Sequence, residues 1–293
     1  MGTVYIIGAG FSKTCDIATD LDMLDSLNSM LKATVEEFGE VSRTTIDYLL
    51  EQNFRDEKEV GFESFMSTLS AAKFINEFLE SNKKIFQEEE QEIRKALCTY
   101  LESRVSEVNW EENGKTILDF VERVDWEHDF ILTFNYDLLI EEAAKRLDLD
   151  VGERILHLHG AINEEALAWP TYTKFAYDTT KVPLAPRWKS AYNILRNQTT
   201  IDRLVFIGYS MPPSDLEAKS LFNYADWYNR MSGPSYEGKR VPAEKHYTYP
   251  IVVVNPEPDI EKIKSNYKFF RKDPVFLPLT LEEWLIAKES APH

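Results

Sequence analysis

Apolar residues along this chain fall into two rhythms. Short continuous runs have the length and β-branched content of buried strands: Thr3–Ile7, Phe130–Leu132, Arg154–Gly160, Leu204–Ser210 and Tyr249–Val254. Between them, apolar residues recur every three or four positions, as on one face of a helix. Leu24, Leu27, Met30 and Leu31 do so, as do Phe62, Phe65, Met66 and Leu69. In the Glu-rich stretch from Ser81 to Val108, Ile85, Ile93, Leu97, Tyr100 and Leu101 form one stripe. Further helical patterns run from Leu138 through Ala144 to Leu147, from Trp188 to Gln198 and from Leu216 to Tyr228. A helix, a short strand and a helix then reach about Ala287. Strands alternating with helices predict an α/β fold with a mainly parallel sheet and helices on both faces.

The helices before Phe130 exceed what one crossover needs, since a whole βαβ unit takes about 30 residues. The expected organisation is a single domain over residues 1–293, with a large helical insertion, residues 21–124, after the first strand. Residues 163–186, with Trp169, Pro170, Tyr172, Tyr177, Pro183 and Pro186, read either as a flap over a cleft or as an ordinary surface loop.

Most of the predicted strands end in small or polar clusters: GAGFS (residues 8–12), FNYD (134–137), HLHG (157–160), GYS (208–210) and NPEP (255–258). In a parallel sheet these all lie at the carboxyl edge, where ligands bind in open α/β folds. Gly8 and Gly10 let the backbone come close to a ligand or make a tight strand-to-helix turn. Asn135 and Asp137 serve either a ligand or the turn and cap of the next helix. Glu63 reads as a cap or surface residue, and Ser214 and Asp215 as the cap of the helix from Leu216. Alternation places His157 and His159 on one strand face. A histidine pair raises the possibility of metal, but no third ligand follows at matching spacing. His159, before Gly160 at the strand's end, suits a general base at neutral pH.

Charge narrows the partners. Net charge is -17 over 293 residues, with a pI of about 4.8. So acidic a surface repels phosphate backbones and argues against direct nucleic-acid binding. The two cysteines, Cys15 and Cys98, give neither a four-cysteine zinc site nor a disulfide framework, which fits a reducing cytoplasm. No basic leader precedes the first strand and no apolar run reaches membrane-spanning length, so neither a signal peptide nor a membrane is expected.

As an ordered set, GAGFS, TFNYD, LHG, GYS and VVVNP resemble the sirtuin family over nearly the whole chain. That family carries a GAG-x-S turn, a T-x-N-x-D strand end, a catalytic His-Gly, a G-T-S turn and a late Asn on the adenosine ribose. The resemblance implies a Rossmann-like NAD site. Gly8, Ala9, Gly10 and Ser12 would hold the pyrophosphate. Asn135 and Asp137 would hold the nicotinamide ribose and the attacking water. His159 would be the general base, Gly208 and Ser210 would contact phosphate or ribose, and Asn255 the adenosine side. The departures are as informative. No cysteine follows the His-Gly strand, where sirtuin deacylases carry a zinc module. Residues 15–20 lack the G-I-P-x-F-R pattern, and Tyr209 replaces the threonine of G-T-S. These features are similar to a zinc-less bacterial branch that hydrolyses NAD in antiphage defence and often carries GYS-x-P-x-x-D, here Gly208–Asp215.

What the resemblance implies is an NAD+ hydrolase without zinc, with NAD+ as substrate. A homo-oligomer, and a partner protein of the defence system, would follow from the need to keep such an activity off. Two alternatives stand beside it: a non-catalytic NAD or ADP-ribose sensor or assembly subunit, and a protein ADP-ribosyltransferase.

Overall fold

A computed structural model describes residues 1–17, 67–69, 71, 85–164, 167–168, 183–197, 201–212, 215–231, 250–257, 259–270 and 272–289. Six strands form one sheet: β1 (Gly2–Ile7), β2 (Phe130–Thr133), β3 (Ile155–His157), β4 (Ile201–Ile207), β5 (Ile251–Val254) and β6 (Val275–Leu277). Their order is β3-β2-β1-β4-β5-β6 and every pairing is parallel. This is the doubly wound, Rossmann-like order. It places a topological switch point between β1 and β4.

Helices cover both faces. They are α1 (Ala9–Ser12), α2 (Ile85–Ser106), α3 (Lys115–Glu122), α4 (Leu139–Arg146), α5 (Ala185–Leu195), α6 (Leu216–Met231), α7 (Ile260–Asn266) and α8 (Leu281–Glu289). Alternation along β1 sorts the core: Tyr5 and Ile7 join one cluster with residues of α2, α3, α4 and α8. Val4 and Ile6 join the other, with residues of α5, α6 and α7. A strand buried on both faces must be apolar throughout, hence the unbroken runs in the sequence.

Local chemistry explains the helix ends. Leu139, Ile140, Ala143 and Ala144 form the buried stripe of α4. Its first turn carries Glu141 and Glu142, and its last carries Lys145 and Arg146, each sign opposite to the helix dipole. Pro186, expected in the irregular segment, instead opens α5, where its missing N–H costs nothing. Asp259 accepts the Lys262 amide and caps α7.

Within the stretch expected as an insertion, α2 and α3 are described. Ile93, Leu97 and Leu101 of α2 are buried in the same cluster as Tyr5 and Phe120. These two helices share the sheet's core. Residues 18–66, with the patterns around Leu24 and Phe62, lie outside the described residues, as do most of 163–186.

Candidate active site at the carboxyl edge

The β1 and β4 turns interlock. Gly8 and Gly10 amides donate to the Ile207 and Gly208 carbonyls at 3.1 and 2.9 Å. A Cβ on Gly10 would meet the Gly208 Cα at 2.9 Å, and one on Gly208 would meet the Phe11 amide at 2.3 Å. Gly208 also has φ +60, a left-handed backbone natural to glycine. The glycines therefore let two backbones pack at the switch point, and much of the turn's amide capacity is spent there. Ala9 stays exposed.

Asn135 reaches across from the β2 end. Its Nδ2 donates to Gly8 O at 3.1 Å and to Ser12 Oγ at 2.8 Å. Both amide hydrogens are thus used. Because Gly8 O can only accept, the side-chain orientation is fixed. Among the described residues, no donor meets Asn135 Oδ1. Ser12 passes its own hydrogen to Asp137 Oδ2 at 2.7 Å, and Asp137 Oδ1 accepts the Leu139 amide at 3.2 Å. Both oxygens act as acceptors, the pattern of the ionised form. Burial pushes the Asp137 carboxyl above its ordinary value, against the lowering effect of the Ser12 and Leu139 hydrogen bonds. So Asp137 anchors both the glycine turn and the start of α4.

β3 ends at His157, and a turn with Gly160 at φ +83 follows. The expected strand therefore stops three residues short of Gly160, before His159, and the two histidines meet different neighbours. His157 Nδ1 faces the Asn135 carbonyl at 3.0 Å, and Nε2 faces Glu141 at 2.7 Å. Burial alone would lower its pKa, but the Glu141 hydrogen bond and charge and the Asn135 carbonyl outweigh it, so the pKa is raised. Both ring nitrogens are committed, which makes His157 a brace for the Asn135 turn.

His159 sits among rings. Phe134 lies 5.1 Å away edge-on, with Tyr136 and Trp188 each at 6.2 Å. Its Nε2 is 3.7 Å from Asp215 Oδ1. The sequence presented Asp215 as a helix cap and as the end of the GYS-x-P-x-x-D stretch, with no partner named for its carboxylate. A carboxylate four residues after Met211 carries no periodicity that points to a histidine on another strand's end.

Ser210 and Asn255 flank the other side. The Ser210 carbonyl accepts from Asn266 Nδ2 at 2.9 Å. Asn255 Oδ1 accepts the Glu257 amide at 3.0 Å, an Asx turn, while its own amide donates to Leu277 O. The structure thus joins Gly8, Gly10, Ser12, Asn135, Asp137 and Gly208 by direct contact. His159 lies beside them, its ring set between those of Phe134 and Tyr136. Among the described residues, no group of three or more His, Cys, Asp or Glu could hold a metal. None of their helices is long and apolar enough to cross a membrane.

A Rossmann-like sheet with polar, hydrogen-bonded turns meeting at its switch point defines this protein. The sequence matches no protein-family model and no curated protein. Solved structures match over nearly the whole chain, two Sir2 structures among them. A Sir2 homologue mutant in complex with ADP-ribose is 13% identical with a TM-score of 0.46, covering 99% of this chain and 94% of that one. A Sir2 in complex with the inhibitor EX-527, 2'-O-acetyl-ADP-ribose and a deacetylated peptide is 11% identical with a TM-score of 0.38, covering 98% and 92%.

Proposed function

We propose that this protein hydrolyses NAD+ to nicotinamide and ADP-ribose at the carboxyl edge, as an NAD-depleting effector of bacterial antiphage defence. One observation carries the reading. Asn135 is held rigidly by Gly8 and Ser12 with its amide oxygen left open in the switch-point crevice. That oxygen can accept a hydrogen from one water and fix its position. The ordered motif set that resembles the sirtuins supports NAD+ as the substrate, and its lack of a cysteine quartet favours water over an acyl-lysine as acceptor.

In this reading the water oxygen bonds to C1 of the nicotinamide ribose as the C1–N bond breaks. Nicotinamide leaves as the neutral amide, taking the electron pair. His159 accepts the water's proton and returns it to solvent. Because the transition state is oxocarbenium-like, positioning and proton removal both count. A general base contributes roughly 100- to 10,000-fold, and positioning supplies much of the remainder. The sensor reading needs only the glycine turn and the ribose contacts, and leaves the open Asn135 oxygen and the His159 imidazole without a chemical task.

The test is to incubate purified protein with NAD+, with and without candidate partners, and follow nicotinamide by chromatography. Release that vanishes in Asn135→Ala supports the hydrolase. ADP-ribose binding without release under any condition would favour the sensor. The protein is also expected to hold no stoichiometric zinc, and elemental analysis showing one zinc per chain would sink that part.

A further inference from the structure

The carboxylate beside His159 is as deeply buried as the histidine. The two side chains retain only 7% and 5% of their exposure. A buried carboxylate is costly unless hydrogen bonds and charge offset its lost hydration. Asp215 Oδ2 accepts the Tyr209 hydroxyl at 2.6 Å. Burial first, and the charge of Asp215 second, push that phenol far above its usual pKa, so Tyr209 remains a donor. Tyr209 is itself fixed on two sides. Its ring stacks on Phe134 at 4.5 Å with planes 8° apart, and its carbonyl accepts the Tyr267 hydroxyl at 2.6 Å. The Asp215 backbone carbonyl accepts the Lys219 amide at the start of α6. Held at both ends, the carboxylate keeps Oδ1 3.7 Å from His159 Nε2, within ion-pair reach but longer than a hydrogen bond, a gap that catalytic contacts often close only with ligand bound. A residue that only capped α6 would need neither Tyr209 nor His159.

We propose that Asp215 is the positioning residue for His159, with Tyr209 as its anchor. The carboxylate keeps the neutral imidazole protonated on Nε2, leaves Nδ1 as the atom that takes a proton, and stabilises the imidazolium once formed. This rests on the reading of His159 as the base. Against the ring lie Phe134 and Tyr136 from the β2 turn, Trp188 from α5 and Asp215 just before α6. Tyr136 donates its hydroxyl to the Ala168 carbonyl. Arg187, next to Trp188, is paired with Glu164, and Glu217 lies in the first turn of α6. Of these charges, Asp215 forms the ion pair with the ring, 3.7 Å from Nε2.

The experiment uses the full chain labelled with 15N-histidine, with the His159 signals assigned through His159→Gln. Neutral wild-type His159 should carry its proton on Nε2. Asp215→Asn should lower the His159 pKa by about one unit, a tenfold shift in proton affinity. In nicotinamide release, Asp215→Asn should lower kcat at least about tenfold with KM little changed, and move the acid limb to lower pH. Adding Asp215→Asn to His159→Ala should cost nothing more. A wild-type proton on Nδ1, or an unchanged His159 pKa in folded Asp215→Asn, overturns the proposal. The wild-type tautomer decides the matter even should the variant not fold. Wild-type protein that releases no nicotinamide counts against the hydrolase alone, because the NMR readouts need no turnover.

Discussion

Asn135 is a residue with one open atom. Replacing it with Ala removes the oxygen proposed to orient water, the amide donor to Ser12 Oγ and one of two donors to Gly8 O, which keeps the Phe11 amide. Nicotinamide release should fall at least about 100-fold, while ADP-ribose binding persists and stability drops by about 1–2 kcal/mol. Calorimetric titration and thermal melting check both halves; loss of binding equal to the loss of rate would refute the division of labour. The glycines behave differently from their sequence reading. From sequence, Gly10→Val reads as a change that spoils ligand binding in an otherwise native fold. Its Cβ would meet the Gly208 backbone, so Gly10→Val, like Gly208→Ala, should cost more than about 2 kcal/mol of stability whether or not a ligand is present. The strand ends placed Asn135 and His159 at the carboxyl edge, although His159 sits in the turn after β3 rather than on it. Asp215 stood out as a helix cap and as the end of GYS-x-P-x-x-D, but its partners were hidden, because its carboxylate finds His159 and Tyr209 only once β3 and β4 are brought to one edge.

Strand ends were easier to place than strand lengths. The apolar runs marked every strand of the sheet's centre, since a strand buried on both faces can hold little else. The histidine strand was overextended because alternation has no built-in stop. The chain turns after His157 and puts Gly160 in a left-handed conformation. His157 consequently braces β3 to the Asn135 turn and to α4 through Glu141. Its folded pKa is raised, so its contribution to stability is complete below about pH 6.5, the unfolded value. That contribution is lost as pH rises through the folded pKa. The melting-temperature gap between wild type and His157→Gln should therefore be widest on the acid side and narrow as pH rises. A gap that widens with pH would show that His157 is held neutral. His157→Gln should also lose some activity through the loosened Asn135 turn, though less than His159→Ala loses.

The sheet as a whole has two ends, and they make different offers. At the amino end, a cavity of about 460 Å³ is lined by Met1, Glu127, His128, Phe130, Arg154, Asn193, Ile194 and Asn197. It has volume and a cation, but its Arg154 already lies over the Phe130 ring, 4.5 Å from the centroid, and donates to Glu127 O. At the carboxyl end, four turns converge on the β1–β4 switch point, with Asn135 Oδ1 open and His159 beside it. Topology favours the second end, because only there do successive parallel strands splay their turns apart into a crevice. ADP-ribose is the probe that separates them, since it binds without being consumed. At about 100 times its Kd it should stabilise the fold by about 2.7 kcal/mol, a shift of several degrees for a chain of this size. Ser12→Ala loosens the Asn135 amide and should raise the ADP-ribose concentration needed for a given shift about tenfold. Arg154→Ala should leave the dose response where it was. The reverse pattern, with Arg154→Ala blind to ADP-ribose and Ser12→Ala unaffected, would move the ligand to the amino end and take the proposed hydrolase site with it.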